Sequence, residues 1–295
     1  MTEALTPQAA PALPIRRRPR RALLRQLSRL KLAVVGGLLV VVLVFCAAAS
    51  PWLAPYSPQA MSLEEELAAP SPQHLLGQDK FGRDILSRII YGARVSLLVG
   101  VITVLVSLSI GAAVGCTAGY LGGLIDEAFL RVVDIFLAFP GILLALALMA
   151  VMGPALSNVI IALCIVGWVG YARLARAQVL SLKSRDFVVA AKACGAKDRR
   201  IIFRHILPNV MAPLLVQATF GLGSAVSAEA ALSFLGLGVQ APTPSWGSML
   251  NEGRQFLLIA PHLTTFPGLA IMLVVLGFNF LGDGLSDWLD PRKVP

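Results

Sequence analysis

Long uncharged apolar runs constrain this chain more than any other feature. Crossing about 30 Å of hydrocarbon takes roughly 20 helical residues, and several runs reach that length. Leu32 to Ser50 holds 19 residues without a charge, and Val95 to Ile125 holds 31. Ile135 to Ala172 holds 38. That is too many for one crossing, and Gly153-Pro154 followed by Ser157-Asn158 supplies a turn that splits it into two spans of about 18. His205 to Ala228 holds 24 and continues past the lone Glu229 toward Leu235, and Gln255 to Gly282 holds 28 with Pro261 near its start. In lipid only helices or a closed barrel satisfy the backbone, and these runs lack a barrel's alternation. Six transmembrane helices in an all-α membrane protein are therefore expected. A hydrophobic share of 57% with only 14% charged residues excludes a disordered chain and an ordinary soluble domain.

The net charge of +9 would suit nucleic acid, acidic lipid or a topology signal, so its placement decides. Residues 1–31 hold eight basic side chains, from Arg16 to Lys31, and Arg173 to Arg204 holds nine more. With Arg131, Arg292 and Lys293, 20 basic residues fall on one side of a six-span chain, against five on the other: Lys80, Arg83, Arg88, Arg94 and Arg254. Positive flanks stay cytoplasmic, which puts both termini in the cytoplasm. The expected organisation is a basic cytoplasmic N-terminus over 1–31, a first helix over 32–54, and an external loop and interfacial segment over 55–94. A five-helix core over 95–284 follows, with a cytoplasmic loop at 173–208 and a cytoplasmic tail over 285–295. Arginines ahead of an apolar run ending in Ala47-Ala48-Ala49-Ser50 also suit a signal peptide. The run is longer than a usual signal core, so it reads as an anchoring span.

Chemistry is sparse. Cys46, Cys116, Cys164 and Cys194 are scattered, as are His74, His205 and His262, so neither a disulfide framework nor a metal site is expected. The chain has no G-x-x-x-x-G-K-[ST] to cradle nucleotide phosphates and no G-x-S-x-G elbow. An enzyme is not expected, and this chain is not expected to hold a nucleotide itself.

The loop between spans four and five carries helical patterning. Ser184 and Asp186 can cap a short helix with Phe187, Ala190, Ala191 and Cys194 on one face, and Gly195 fits the left-handed position that ends it. Asp198 can cap a second helix, Arg199 to Leu207, stopped by Pro208. An interfacial hairpin lying on acidic headgroups and a docking helix for a cytoplasmic partner both suit this pattern.

The run Val189-Ala190-Ala191-Lys192-Ala193-Cys194-Gly195, followed after nine residues by His205-Ile206-Leu207-Pro208, resembles the E-A-A-x-x-x-G…I-x-L-P loop of bacterial ABC-transporter permeases. His74 to Arg88 (HLLGQDKFGRDILSR) and Tyr91-Gly92-Ala93-Arg94 are similar to signatures of the "C"-type permeases of dipeptide, oligopeptide and nickel import. So are Glu229 to Gly238 (EAALSFLGLG), Pro244-Ser245-Trp246-Gly247, Asn279 to Gly284 and Asp290-Pro291-Arg292. Val189 stands where the family has glutamate, and Gln78 where it has threonine. The resemblance implies a type I ABC-importer permease fold. Its cytoplasmic coupling helix would lie between spans four and five, or between helices five and six once short helices are counted. It also implies a second homologous permease, two ATP-binding subunits, an external solute-binding protein and a peptide or similar small solute. Phe187, Ala190, Ala191, Gly195, Arg199, His205 and Pro208 would then couple to the ATPase.

Glu229 is a lone carboxylate in the outer half of span five. It is expected either to line the route of a solute's ammonium group or to fix helix packing through hydrogen bonds. Gly221 and Gly223 join it as residues of a possible solute path or of close packing. Asp134 reads as an interfacial charge held by Arg131. A rival reading is a self-sufficient secondary transporter or channel coupled through Glu229, although such a carrier has no need of the large basic loop.

Overall fold

The computed structural model describes residues 20–289. Sequence readings over 1–19 and 290–295, Arg16 to Arg18, Arg292 and Lys293 among them, lie outside the described residues. Ten α-helices are described: α1 Arg20–Leu53, α2 Ile85–Leu121, α3 Gly123–Leu137, α4 Gly141–Met152, α5 Leu156–Leu182, α6 Asp186–Ala193, α7 Asp198–Ile201, α8 Leu207–Phe234, α9 Trp246–Gly253 and α10 His262–Leu289. Among the described residues five helical stretches are long and apolar enough to span a membrane, and α3 with α4, bent by 80° at their junction, makes a sixth if the pair counts as one span.

Small residues dictate how the spans meet. On α2, Gly111, Gly115 and Gly119 recur every fourth residue and so share one face. A Cβ on Gly111 would lie 2.5 Å from the Tyr171 Cβ and 2.8 Å from the Ala172 nitrogen, and one on Gly115 would strike the Ala172 carbonyl. Gly119 meets Arg176 and Val179 in the same way. Without Cβ atoms on this stripe the α2 and α5 backbones approach closely, the arrangement on which packing in lipid depends. The stripe is a G-x-x-x-G-x-x-x-G repeat legible in the sequence but not picked out there. Contact positions rise together along both helices, so α2 and α5 run parallel. The chain must therefore recross the bundle between them, and the bent α3–α4 pair provides that return. On the far side α1 lies antiparallel to α10, with Gly36 against Gly277, Phe280 and Leu281, and Ala33 against Gly284.

Several expected boundaries shift. Instead of one straight span beginning at Ile135, the chain breaks at Ala138-Phe139-Pro140, because proline disfavours a helical residue before it. The division at Gly153 stands, with Gly153 at φ +83° ending α4. Residues 85–94 belong to the continuous α2 helix rather than to a separate interfacial segment. The last span starts at His262, because Arg254–Phe256 forms a 3₁₀ turn and a turn follows it to Pro261.

Candidate functional site: an end hairpin, a buried ion network and a mid-bundle cavity

Three constructions carry the residues singled out by the sequence. The first is the hairpin of α6 and α7. α6 ends in a left-handed turn at Gly195 (φ +78°), where the Gly195 N–H donates to the Lys192 carbonyl at 3.0 Å and the Ala196 N–H to the Ala191 carbonyl at 3.1 Å. These two bonds form the Schellman closure that glycine at this position permits. Val188 is buried and Ala191 packs partly on the core, which leaves Phe187, Val189, Ala190 and Cys194 exposed. The face drawn through Phe187, Ala190, Ala191 and Cys194 is thus mostly the outer one, with Val188 as the anchor.

Capping differs from expectation. Arg185 and Lys197 take the N-cap positions without side-chain cap bonds, and the Asp198 carboxylate accepts from the Tyr120 hydroxyl at 2.9 Å, tying the hairpin to the end of α2. Nor does Pro208 stop a helix. Residues Asp198 to Phe234 run as one helix through a π turn at Ile202–Ile206. The widened turn accommodates the ring and the missing N–H of proline, while the Asn209 side chain donates to the His205 carbonyl at 2.7 Å. Arg199 stacks over Phe203, and with Lys197, Arg200 and Arg204 it makes an exposed basic patch.

The second construction explains the His74 to Arg94 signature. The Asp79 carboxylate accepts from Arg83 Nε and Arg88 Nη1, both at 2.7 Å, and from the Phe81 and Arg83 backbone N–H groups. Glu252 on α9 accepts from Arg83 Nη2 at 2.5 Å and Arg88 Nη2 at 3.3 Å. Two acids and two guanidiniums thus balance, with Arg88 only 2% exposed. Burial pushes the Glu252 carboxyl above its ordinary value, and the Arg83 guanidinium draws it back down. Asp84 caps α2 through the Ser87 N–H and hydroxyl and pairs with His74 Nδ1 at 2.9 Å. Trp246 donates to the Ile89 carbonyl at 3.0 Å, and Ser245 caps α9. The stretch from His74 to Arg88 is therefore clamped onto α2 and α9.

The third is a cavity of about 330 Å³ between α2, α4, α5 and α8. Of the three path residues named from the sequence, Gly221 lines it. Gly223 instead meets Val275 and Phe278 of α10. Glu229 is fully buried (0% exposed), and its Oε1 accepts from Ser233 Oγ at 2.7 Å. Ser233 in turn accepts from the Val239 N–H, so this pair pins the C-terminal end of α8 to the loop after it. The structure thus brings one of the three to the cavity and leaves two in helix packing. The cavity residues that sequence reasoning passed over are Ser107, Tyr171 and Gln217. Their spacing carries no periodic signal across three separate helices. Among the described residues no cluster could hold a metal ion, and Asp126, not Asp134, holds an ion pair, with Arg176 of α5.

Comparison with known proteins decides the family. Residues 111–295 match the model of the "Binding-protein-dependent transport system inner membrane component", and residues 19–70 match the "N-terminal TM domain of oligopeptide transport permease C". The chain belongs to this family of importer permeases. This permease is 50% identical to the dipeptide transport system permease protein DppC of Alkalihalophilus pseudofirmus, over 93% of this chain and 90% of that one. It is 45% identical to the glutathione transport system permease protein GsiD of Pectobacterium atrosepticum, over 94% and 92%. A solved inward-facing MetNI methionine ABC transporter superposes with a TM-score of 0.52 at 22% identity, covering 68% of this chain and 94% of that one, which supports the type I fold. The permease is a multi-pass inner-membrane subunit of an ATP-driven importer, without catalysis of its own. It works with a partner permease, ATP-binding subunits and a solute-binding protein. A self-sufficient carrier is thereby set aside.

Proposed function

We propose that this permease forms half of the pore of an importer for di- and oligopeptides or glutathione-like solutes. In this reading the α6–Gly195–α7 hairpin receives the motion of the ATPase on the cytoplasmic side, where both termini also lie. The observation that carries the solute class is the 50% identity to a dipeptide permease across nearly the whole chain. Phe187, Ala190, Ala191, Gly195 and Arg199 would meet the ATP-binding subunit, while His205 and Pro208 sit in the continuous helix that carries movement into α8. ATP and Mg would be held by those partner subunits. Because the hairpin joins α8 without a break, displacing it would tilt α8 against α2 and α5, a rigid-body route between inward- and outward-open states. Uptake of a labelled dipeptide into proteoliposomes bearing the complete complex tests the reading. ATP-dependent uptake is expected, and import of a metal chelate with no peptide uptake would overturn the solute class.

A further inference from the structure

The mid-bundle cavity carries hydroxyls with nothing to bind. Ser107 is 1% exposed and Tyr171 6%, and neither hydroxyl has a hydrogen-bond partner among the described residues. Thr103, also 6% exposed, lines the same space with the Cys164 thiol nearby. Elsewhere on α2 the exposed Ser109 and Thr117 hydroxyls donate to the carbonyls four residues back at 2.7 Å, whereas the buried Ser96 hydroxyl is unpaired among the described residues but does not line this cavity. Leaving a buried hydroxyl unmade costs about 1–3 kcal/mol, so unsatisfied ones that converge on a space point to a ligand that completes them.

Glycines keep them free. A Cβ on Gly221 would strike the Tyr171 hydroxyl, and one on Gly167 would come within 2.7 Å of Ser107 Oγ. At the wall, Gly141 and Ile142 begin α4, whose N-terminus has no side-chain cap. The first N–H groups of a helix have no partner within it and carry positive partial charge. Gln217 and Ser224 add polar groups, and among the described residues no Asp, Glu, Lys, Arg or His lines the cavity. A bent helix pair whose second helix begins at a cavity within the bundle is suited to an anionic group. The space is small for a ligand pocket, at the lower end of the usual ~300–1,000 Å³, and admits a group the size of a dipeptide.

We infer that this cavity is a subsite for the carboxylate end of the transported peptide, with the Ser107 and Tyr171 hydroxyls as donors and the α4 N-terminus as the positive pole. The inference rests on the peptide reading above and deepens it. Since no carboxylate faces the cavity, it does not serve the ammonium end. The test is equilibrium binding of labelled alanyl-phenylalanine to the purified complex without its solute-binding protein, with competition by the N-acetylated peptide and by the C-terminal amide. The N-acetylated peptide should compete as well as the free one and the amide at least tenfold worse. Tyr171→Phe, which keeps the ring, and Ser107→Ala should each erase most of that difference while complex yield on size exclusion stays normal. Two variants guard against either one failing to assemble. An amide that competes equally, a blocked amine that fails to compete, or variants that keep the preference would overturn the subsite, as would the absence of binding. Dipeptide uptake in the complete system, measured alongside, keeps the two failures apart: uptake without this preference sinks the subsite alone, and no uptake sinks the peptide reading too.

Discussion

Replacing Gly195 by valine isolates what a left-handed backbone contributes to the hairpin. No heavy atom lies within 4 Å of a Cβ built there, so the substitution meets no steric clash and its cost is conformational. At φ +78° an L-residue with a Cβ pays roughly 1–2 kcal/mol, and a β-branched side chain stands at the upper end. That shifts the local equilibrium about 5–30-fold away from the closed turn. The bonds at stake are Gly195 N–H to Lys192 and Ala196 N–H to Ala191. Hydrogen exchange should report faster exchange at residues 194–196, with the rest of the chain unchanged. Uptake and solute-stimulated ATP hydrolysis should fall together while complex assembly survives. Gly195→Asn, which tolerates the left-handed region, should lie between wild type and valine. If valine exchanges and couples as glycine does, or if asparagine is as damaging as valine, the backbone argument fails.

Glu229→Gln keeps an acceptor for Ser233 and should leave uptake of free and N-blocked peptides equal, while Glu229→Leu strips that acceptor and should lower assembled complex for every substrate. A selective loss for free-amine peptides in Glu229→Gln would return Glu229 to the solute route. Asp79→Asn, which weakens the pairing of fully buried Arg88, should destabilise the complex by about 3 kcal/mol, read as a lowered melting temperature. Glu252→Gln should cost less, since Glu252 is more exposed and holds Arg88 at the longer distance; equal melting for both variants would refute this ranking. Gly115→Val drives side-chain atoms into the Ala172 backbone and should abolish assembly, so a normal yield would refute the close α2–α5 packing. A cysteine at Lys197 should resist membrane-impermeant label in sealed cells, and efficient labelling would invert the proposed orientation.

The apolar runs were enough to establish an all-helical membrane chain, because the length needed to cross hydrocarbon and the backbone's demand for internal hydrogen bonds are local properties. Gly195 as a left-handed helix end was legible for the same reason, since positive φ is a property of one residue. The motif order pointed to the permease family that the comparisons establish. Partners far apart in sequence were not legible. Arg83 and Arg88 read as outer flank charges until α9 brought Glu252 to them, and Glu229 read equally as a path or a packing residue until Ser233 and the loop after α8 gave its carboxylate a packing partner. Pro208 read as a stop because the widened turn before it depends on how the hairpin packs. The cavity belongs wholly to tertiary structure: Ser107, Tyr171 and Gly221 come from three helices, and the close α2–α5 packing along the α2 glycines sets the Ser107 and Tyr171 side chains beside the space that Gly221 of α8 leaves open. Sequence determines how much of a chain must be buried in lipid, whereas the close approach of backbones decides which polar groups are left facing one another there.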